Sequence, residues 1–199
     1  IRPSMFVGTP ENLKTPNLEK VTGKKRAMPI WPMGLKNVAL EKEVTASDDE
    51  PVIGEIEMLT DADQEAADGH YMELGPGLQW VQLDLEQPHE IFAVIIWHYH
   101  AQARVYFDVA VKCADDADFI TGVKTLFNND HDNSAGLGVG EQKEYIESNE
   151  GKLIETFDGD KAEAKGVKTR YLRLYTKGNS SNEMNHYIEV EVWGRPVKK

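Results

Sequence analysis

Polar and apolar positions alternate along much of this chain with a period of two. Val81, Leu83 and Leu85 are separated by Gln82, Asp84 and Glu86, the pattern of a strand with one buried and one wet face. After Gln87, Pro88 and His89 comes a second run, residues 91–97, apolar on both faces. It predicts an interior strand with a neighbour on each side and a second layer over it. The run breaks into His98, Tyr99 and His100 where the chain leaves that interior. Polar side chains at the end of a buried strand mark the first place to look for function.

The same pattern predicts further strands. Residues 38–45 form the candidate first strand, 48–51 a loop, and 54–79 an irregular acidic stretch around Gly75, Pro76 and Gly77. Over 105–113, Val105, Phe107, Val109, Val111 and Cys113 share one face, against Tyr106, Asp108, Ala110 and Lys112 on the other. A turn at 115–122 leads to a return strand at 123–127, and 128–140 is a polar, glycine-punctuated loop too long for a simple hairpin. Residues 152–157, 170–176 and 187–193 supply the last strands. No run predicts a helix longer than two turns, and no internal repeat appears. Short strands without helical crossovers predict an all-β chain, an antiparallel β-sandwich of jelly-roll type.

Length and composition set the frame: 199 residues with 40% apolar content suit one domain and an arm. The arm is residues 1–36, where Pro3, Pro10, Pro16, Pro29 and Pro32 favour extended chain and Trp31 and Met33 are the candidates to pin it down. A flexible tether is the other role open to it. The domain is then 37–199. The formal charge of −12 repels phosphate backbones, so nucleic acid is not an expected partner, while cations and neutral sugars stay open. Cys113 is alone, which rules out an internal disulfide and suits a core position. No run approaches the roughly 20 apolar residues of a membrane helix. The chain begins at Ile1 rather than Met, which leaves room for a leader removed by processing.

Six stretches in order carry a resemblance: NVALEKEVTAS at 37–47, Leu59-Thr60-Asp61, WVQLDL at 80–85, VAV at 109–111 with Asp115 and Asp116, RYLRLY at 170–175, and IEVEVWG at 188–194. Together they resemble the landmarks of a discoidin domain, also called a coagulation-factor type C domain. Those domains are galactose-binding-like β-sandwiches, a group that includes many carbohydrate-binding modules. The resemblance covers residues 37–194 and implies a jelly-roll sandwich, in many members with a structural calcium ion near the two chain ends. The matching positions are Asp61, Asp63 and Glu189. Calcium takes six to eight oxygens, and the 60–65 loop offers carboxylates and carbonyls together. The loop departs from the family pattern, with Ala62 where glycine is usual and no closing tryptophan. The other role open to these residues is plain: Asp61 and Asp63 cap turns and Glu189 is solvated.

A second constellation follows from hairpin geometry. A strand over 105–113 runs away from the 98–104 turn and 123–127 returns antiparallel, so the 128–133 loop is expected beside that turn. The shared edge offers His98, Tyr99, His100, Arg104, Asn129, Asp130, His131 and Asp132, with Asn185 and His186 ahead of the last strand. A sugar site needs directional donors and acceptors and an aromatic face, which Tyr99, Trp97 or Tyr106 supplies. The resemblance implies the same, since related modules place sugar sites on loops at one end of the sandwich. Three roles are open to the histidines: a binding surface, a loop scaffold, or a transition-metal pair formed by His98 and His100. The expectation is a non-catalytic carbohydrate-binding module with structural calcium, exported to the periplasm, the cell surface or the medium. The alternative is a metal-dependent hydrolase of glycans or esters, using His98 or His131 with Asp130, or the pair Asp130 and Asp132.

Overall fold

The two apolar runs at the centre of the chain form a single strand. The structure, a computed structural model, describes residues 13, 15–21, 23–27, 29–157 and 165–197. Its strands are β1 (Lys36–Asn37), β2 (Val44–Ala46), β3 (Met72–Leu74), β4 (Gln79–Trp97), β5 (Ala110–Ala114), β6 (Lys124–Asn128), β7 (Lys152–Glu155), β8 (Val167–Thr176), β9 (Asn185–Tyr187) and β10 (Glu189–Pro196). Among the described residues the only helical element is a five-residue 3₁₀ segment, Ile56–Thr60. All strand pairs are antiparallel.

β4 organises both layers. Its first half pairs with β2 and β8, and its second half with β7 and β10. β8 carries the first layer on to β5 and β6, while β10 carries the second to β1. The expected break at 87–89 is instead a bulge: pairing with β8 skips between Asp84 and His89, and Glu86 takes a left-handed φ of 66°. Pro88 donates no N–H, so it suits the unpaired side of a bulge. Leu83, Leu172, Leu174, Val111 and Cys113 from one layer meet Val94, Ile96, Val190 and Val192 from the other in one buried core.

Three strand expectations need correcting. The run 38–45 is not one strand: β1 ends at Asn37, whose Oδ1 accepts the N–H of both Ala39 and Val192, and Glu41 turns the chain at φ 55° before β2 begins. The run 105–113 becomes a strand of this sheet only from Ala110. Asp108, at φ 50°, breaks the alternation, and residues 105–107 bond instead to 177–180 through a bridge between Tyr106 and Asn179. Tyr106 is therefore buried, against the face assignment from its spacing. The stretch 54–79, expected to be irregular, holds the 3₁₀ segment and β3.

Of the arm expected over 1–36, residues 1–12, 14, 22 and 28, with Pro3 and Pro10 among them, lie outside the described residues, as do 198 and 199 at the far end. The described part lies against the domain. Trp31 packs on Trp193 at 5.2 Å between ring centroids, and the Glu19 N–H donates to the Glu144 carbonyl at 2.8 Å. Met33 is 96% exposed and pins nothing. Among the described residues no helix is long and apolar enough to cross a membrane.

Candidate functional site

The register of β4 decides where the histidines go. Val94 and Ile96 face the core, and His98, two residues on, continues their side of the chain and is fully buried. A buried imidazole needs a partner, and Glu147 supplies it, with Nδ1 and Oε1 2.6 Å apart. The ring of His98 stacks on Tyr106 at 4.5 Å. His100 lies beyond the strand, where its Nε2 meets the Gln64 carbonyl at 3.1 Å. The two histidines thus serve different partners.

Around them the chain gathers a polar and aromatic edge. Arg104, 9% exposed, sets its guanidinium 4.6 Å above the Tyr99 ring. The Tyr99 ring meets Tyr71 edge-on at 4.9 Å and His186 at 5.8 Å. His186 is held at both nitrogens, by the Tyr106 hydroxyl at 2.9 Å and by Glu73 at 2.8 Å. Burial, with the charge of Arg104 behind it, pushes the His186 imidazole down to about 4. A neutral ring then donates from Nε2 to Glu73 and accepts the Tyr106 O–H at Nδ1. Burial also raises the Glu73 carboxyl and lifts Tyr106 well above the usual phenol range. Tyr99, Tyr71, Glu73 and His100 are partly exposed, so this edge presents one aromatic face and several directed polar groups to solvent.

Of the residues gathered here, His98, Tyr99, His100, Arg104 and His186 were expected from the sequence, and Tyr71, Glu73 and Glu147 were not. The first two carried a readable signal, since Met72 and Leu74 alternate with Tyr71 and Glu73 as a strand does. Glu147 lies in a polar stretch without periodicity and carried none. Two aromatic candidates are unavailable as ring faces. Tyr106 is buried, and Trp97 is sealed under Gly151, where a Cβ would come within 2.6 Å of the indole. Gly151 also sits at φ 63°, so both space and backbone ask for glycine there.

The other expected site residues lie elsewhere or serve the scaffold. The Asn129 Oδ1 accepts the Val109 N–H at 2.7 Å. Asp130, fully buried, accepts the N–H groups of Ser134 and Ala135 at 2.9 and 3.1 Å, which closes the 128–140 loop. The Asp132 Oδ1 also accepts the Ser134 N–H. His131 has a buried Nε2 without a partner. These hydrogen bonds run to residues 109 and 134–135. Asn185 is buried and spends its amide on the carbonyls of Gly75 and Gly77 and the N–H of Gly178. It ties loops together. Among the described residues the one trio of possible metal ligands within 4.8 Å of one another is Asp108, Asp130 and Asp132.

Of the three residues matched to a calcium site, Asp61 lies beside Glu189, while Asp63 is committed to other partners. The Glu189 Oε2 accepts the Ala62 N–H at 3.1 Å, so the early loop does reach the last strand. The Glu189 Oε1 is buried with no partner, and burial pushes the carboxyl up to about 9. The Asp61 Oδ1 accepts the Asp63 N–H at 2.8 Å. Both Asp63 oxygens are engaged, one by the Glu65 N–H at 2.9 Å and the other by His70 Nδ1 at 2.5 Å, and these contacts hold its carboxyl below the usual range.

No protein-family model matches the chain, and no curated protein matches it. Solved structures do. CBM32 of AlyQ in complex with 4,5-unsaturated mannuronic acid is 18% identical at a TM-score of 0.50, with 75% of this chain and 92% of that one covered. A fucose-binding module from Streptococcus pneumoniae is 20% identical at 0.53, covering 83% of this chain and all of that one. A chitosan-binding module of the chitosanase/glucanase from Paenibacillus sp. IK-5 is 17% identical at 0.53, covering 80% of this chain and 99% of that one. In the truncated AlyQ with CBM32 and alginate lyase domains, the match covers 32% of that chain's length. At these identities the likeness gives the fold alone, an antiparallel β-sandwich.

Proposed function

We propose that this chain is a carbohydrate-binding module whose ligand docks on the edge formed by Tyr71, Tyr99, His100, Arg104, His186 and Glu73. The observation that carries the reading is the Arg104 guanidinium 4.6 Å from the centre of the partly exposed Tyr99 ring, beside the imidazole of His186. A sugar ring offers CH groups to an aromatic face and hydroxyls to surrounding donors and acceptors, and this edge supplies both. The names of the similar solved structures, modules bound to or named for sugars, support the same reading. On this reading Asn129, Asp130 and Asp132 shape the neighbouring loop rather than touch the sugar. Export to the periplasm, the cell surface or the medium fits a module of this kind. A glycan array followed by calorimetry tests it: Arg104→Ala and Tyr99→Ala weaken the hit by about 1–3 kcal/mol, one to two orders of magnitude in affinity. An array without a hit, or a hit indifferent to both changes, overturns it.

Calcium is the second part of the proposal, and it rests on the unpartnered, buried Glu189 Oε1. A buried carboxylate oxygen without a donor suits a hard cation. Glu189, Asp61 and carbonyls of the 60–65 loop would hold the ion, and Asp63 would join only by leaving His70. The ion would tie the early loop to β10 and take no part in sugar chemistry.

A further inference from the structure

The loop between the 3₁₀ segment and β3 is fastened on two sides. Its first residues are held by β10: the Ala62 N–H donates to the Glu189 Oε2 at 3.1 Å, and the Gln64 side-chain amide to the Glu191 Oε1 at 2.8 Å. Asp63 then reaches across the loop to His70, with Oδ2 and Nδ1 2.5 Å apart, while its Oδ1 accepts the Glu65 N–H at 2.9 Å. Between these ties Ala66 packs against the cluster of Ile95, Trp97 and Ile188. Asp63 thus clamps residues 63–70 into a closed loop at the surface.

The clamp fixes the direction of one carbonyl. Gln64 lies between Asp63 and Glu65, the residue whose N–H Asp63 binds, and the Gln64 carbonyl meets the His100 Nε2 at 3.1 Å. A carbonyl oxygen only accepts, so Nε2 carries the proton. In a neutral imidazole the other nitrogen, Nδ1, is then the acceptor. Burial lowers the His100 imidazole, which favours the neutral ring. His100 is nonetheless partly exposed, within reach of solvent at the edge.

We propose that Asp63 is a positioning residue for the Tyr99–Arg104 edge: it orients the Gln64 carbonyl, the carbonyl fixes the tautomer of His100, and a sugar hydroxyl donates to the His100 Nδ1. This deepens the sugar reading of that edge and rests on it. Asp63 and His70 touch no sugar themselves. They act through His100.

Two measurements on the full chain test it, both with chelator present so that loss of a cation is not the cause. NMR of the free protein at neutral pH reads the ring signals of His100. Calorimetry reads the strongest glycan-array hit, titrated as the free oligosaccharide. Asp63→Ala moves the His100 signals and weakens the hit about fivefold. Asp63→Asn, which keeps an acceptor for the Glu65 N–H and can donate to the His70 ring, stays near wild type in both. His70→Ala acts in the same direction as Asp63→Ala. His100→Ala weakens the hit by itself, and adding Asp63→Ala to it costs nothing further, because the two residues act in series. Unmoved His100 signals, full affinity in Asp63→Ala, or losses that add in the double variant overturn the proposal and leave the edge reading in place. An array without a hit removes the edge reading and the proposal with it. Should Asp63→Ala lower the melting temperature, the double variant decides, since a general loosening would add to the loss from His100→Ala.

Discussion

The His98 imidazole and the Glu147 carboxylate meet at 2.6 Å with both side chains shut away from solvent. The pair is a consequence of register, because β4 carries His98 inward behind Ile96 and an unpaired polar ring there is costly. Removing one partner of a buried hydrogen bond costs about 1–3 kcal/mol, since the other is left behind unsatisfied. Glu147→Ala therefore destabilises strongly, and Glu147→Gln, which keeps an oxygen facing Nδ1, much less. Chemical denaturation of the two variants checks this. Equal losses would mean that the pair does not hold the ring.

At the Tyr99 edge the shape of the cation matters as well as its charge. The guanidinium of Arg104 lies 4.6 Å above the ring as a flat donor array, which a lysine ammonium does not reproduce. Arg104→Lys should lose most of the ligand affinity that Arg104→Ala loses, while Tyr99→Phe keeps the ring and most of the binding. Calorimetry with the array hit distinguishes these. Full affinity in Arg104→Lys would reduce the residue to a point charge.

His186 makes a prediction about acid. Its folded-state value of about 4 lies below the ordinary 6.5, so above pH 6.5 the ring is neutral in both states and contributes no pH dependence. As pH falls from 6.5 to about 4 the unfolded chain takes up a proton that the folded chain refuses, and stability drops. At about 1.4 kcal/mol per unit the loss is at most about 3.5 kcal/mol, and less as far as solvent reaches the ring. Urea melts of wild type and His186→Gln across that window check the sign. Parallel curves would remove His186 as the cause.

Much of this was legible in the residue pattern, and the failures have a common origin. The alternation at Val81, Leu83 and Leu85 placed β4 and its wet face correctly, because burial on one side of a pleat imposes period two. The alternation at 105–113 misled, because a left-handed Asp108 resets the phase and no residue type announces that. The same break in alternation hid Tyr106 in the core. Arg104, Tyr99 and His186 were found through their residue types at strand ends. Glu147 escaped, since a lone acid reveals its partner only in three dimensions.

Glu189 gives the last prediction. Burial raises its carboxyl from an ordinary 4.5 to about 9. Below pH 4.5 both states are protonated and the group contributes no pH dependence; between 4.5 and about 9 the unfolded chain ionises first, so stability falls as pH rises. A cation reverses this by stabilising the carboxylate, and its binding releases a proton. Calcium should therefore raise the melting temperature more at about pH 8 than at about pH 5, and at roughly 100-fold excess over its dissociation constant it adds about 2.7 kcal/mol. A chelator should undo the gain. Glu189→Gln should abolish the response and, with chelator present at the higher pH, be no less stable than wild type, because it removes the cost of keeping protonated in the fold a carboxyl that is ionised in the unfolded chain. Asp61→Asn should weaken the response. Asp63→Asn should change it little, since the oxygens of Asp63 are already committed to Glu65 and His70. Thermal melts of the four proteins with calcium and with chelator decide the matter. A wild type indifferent to calcium at both pH values would leave Glu189 a protonated acid whose one hydrogen bond, to Ala62, merely fastens the loop to β10.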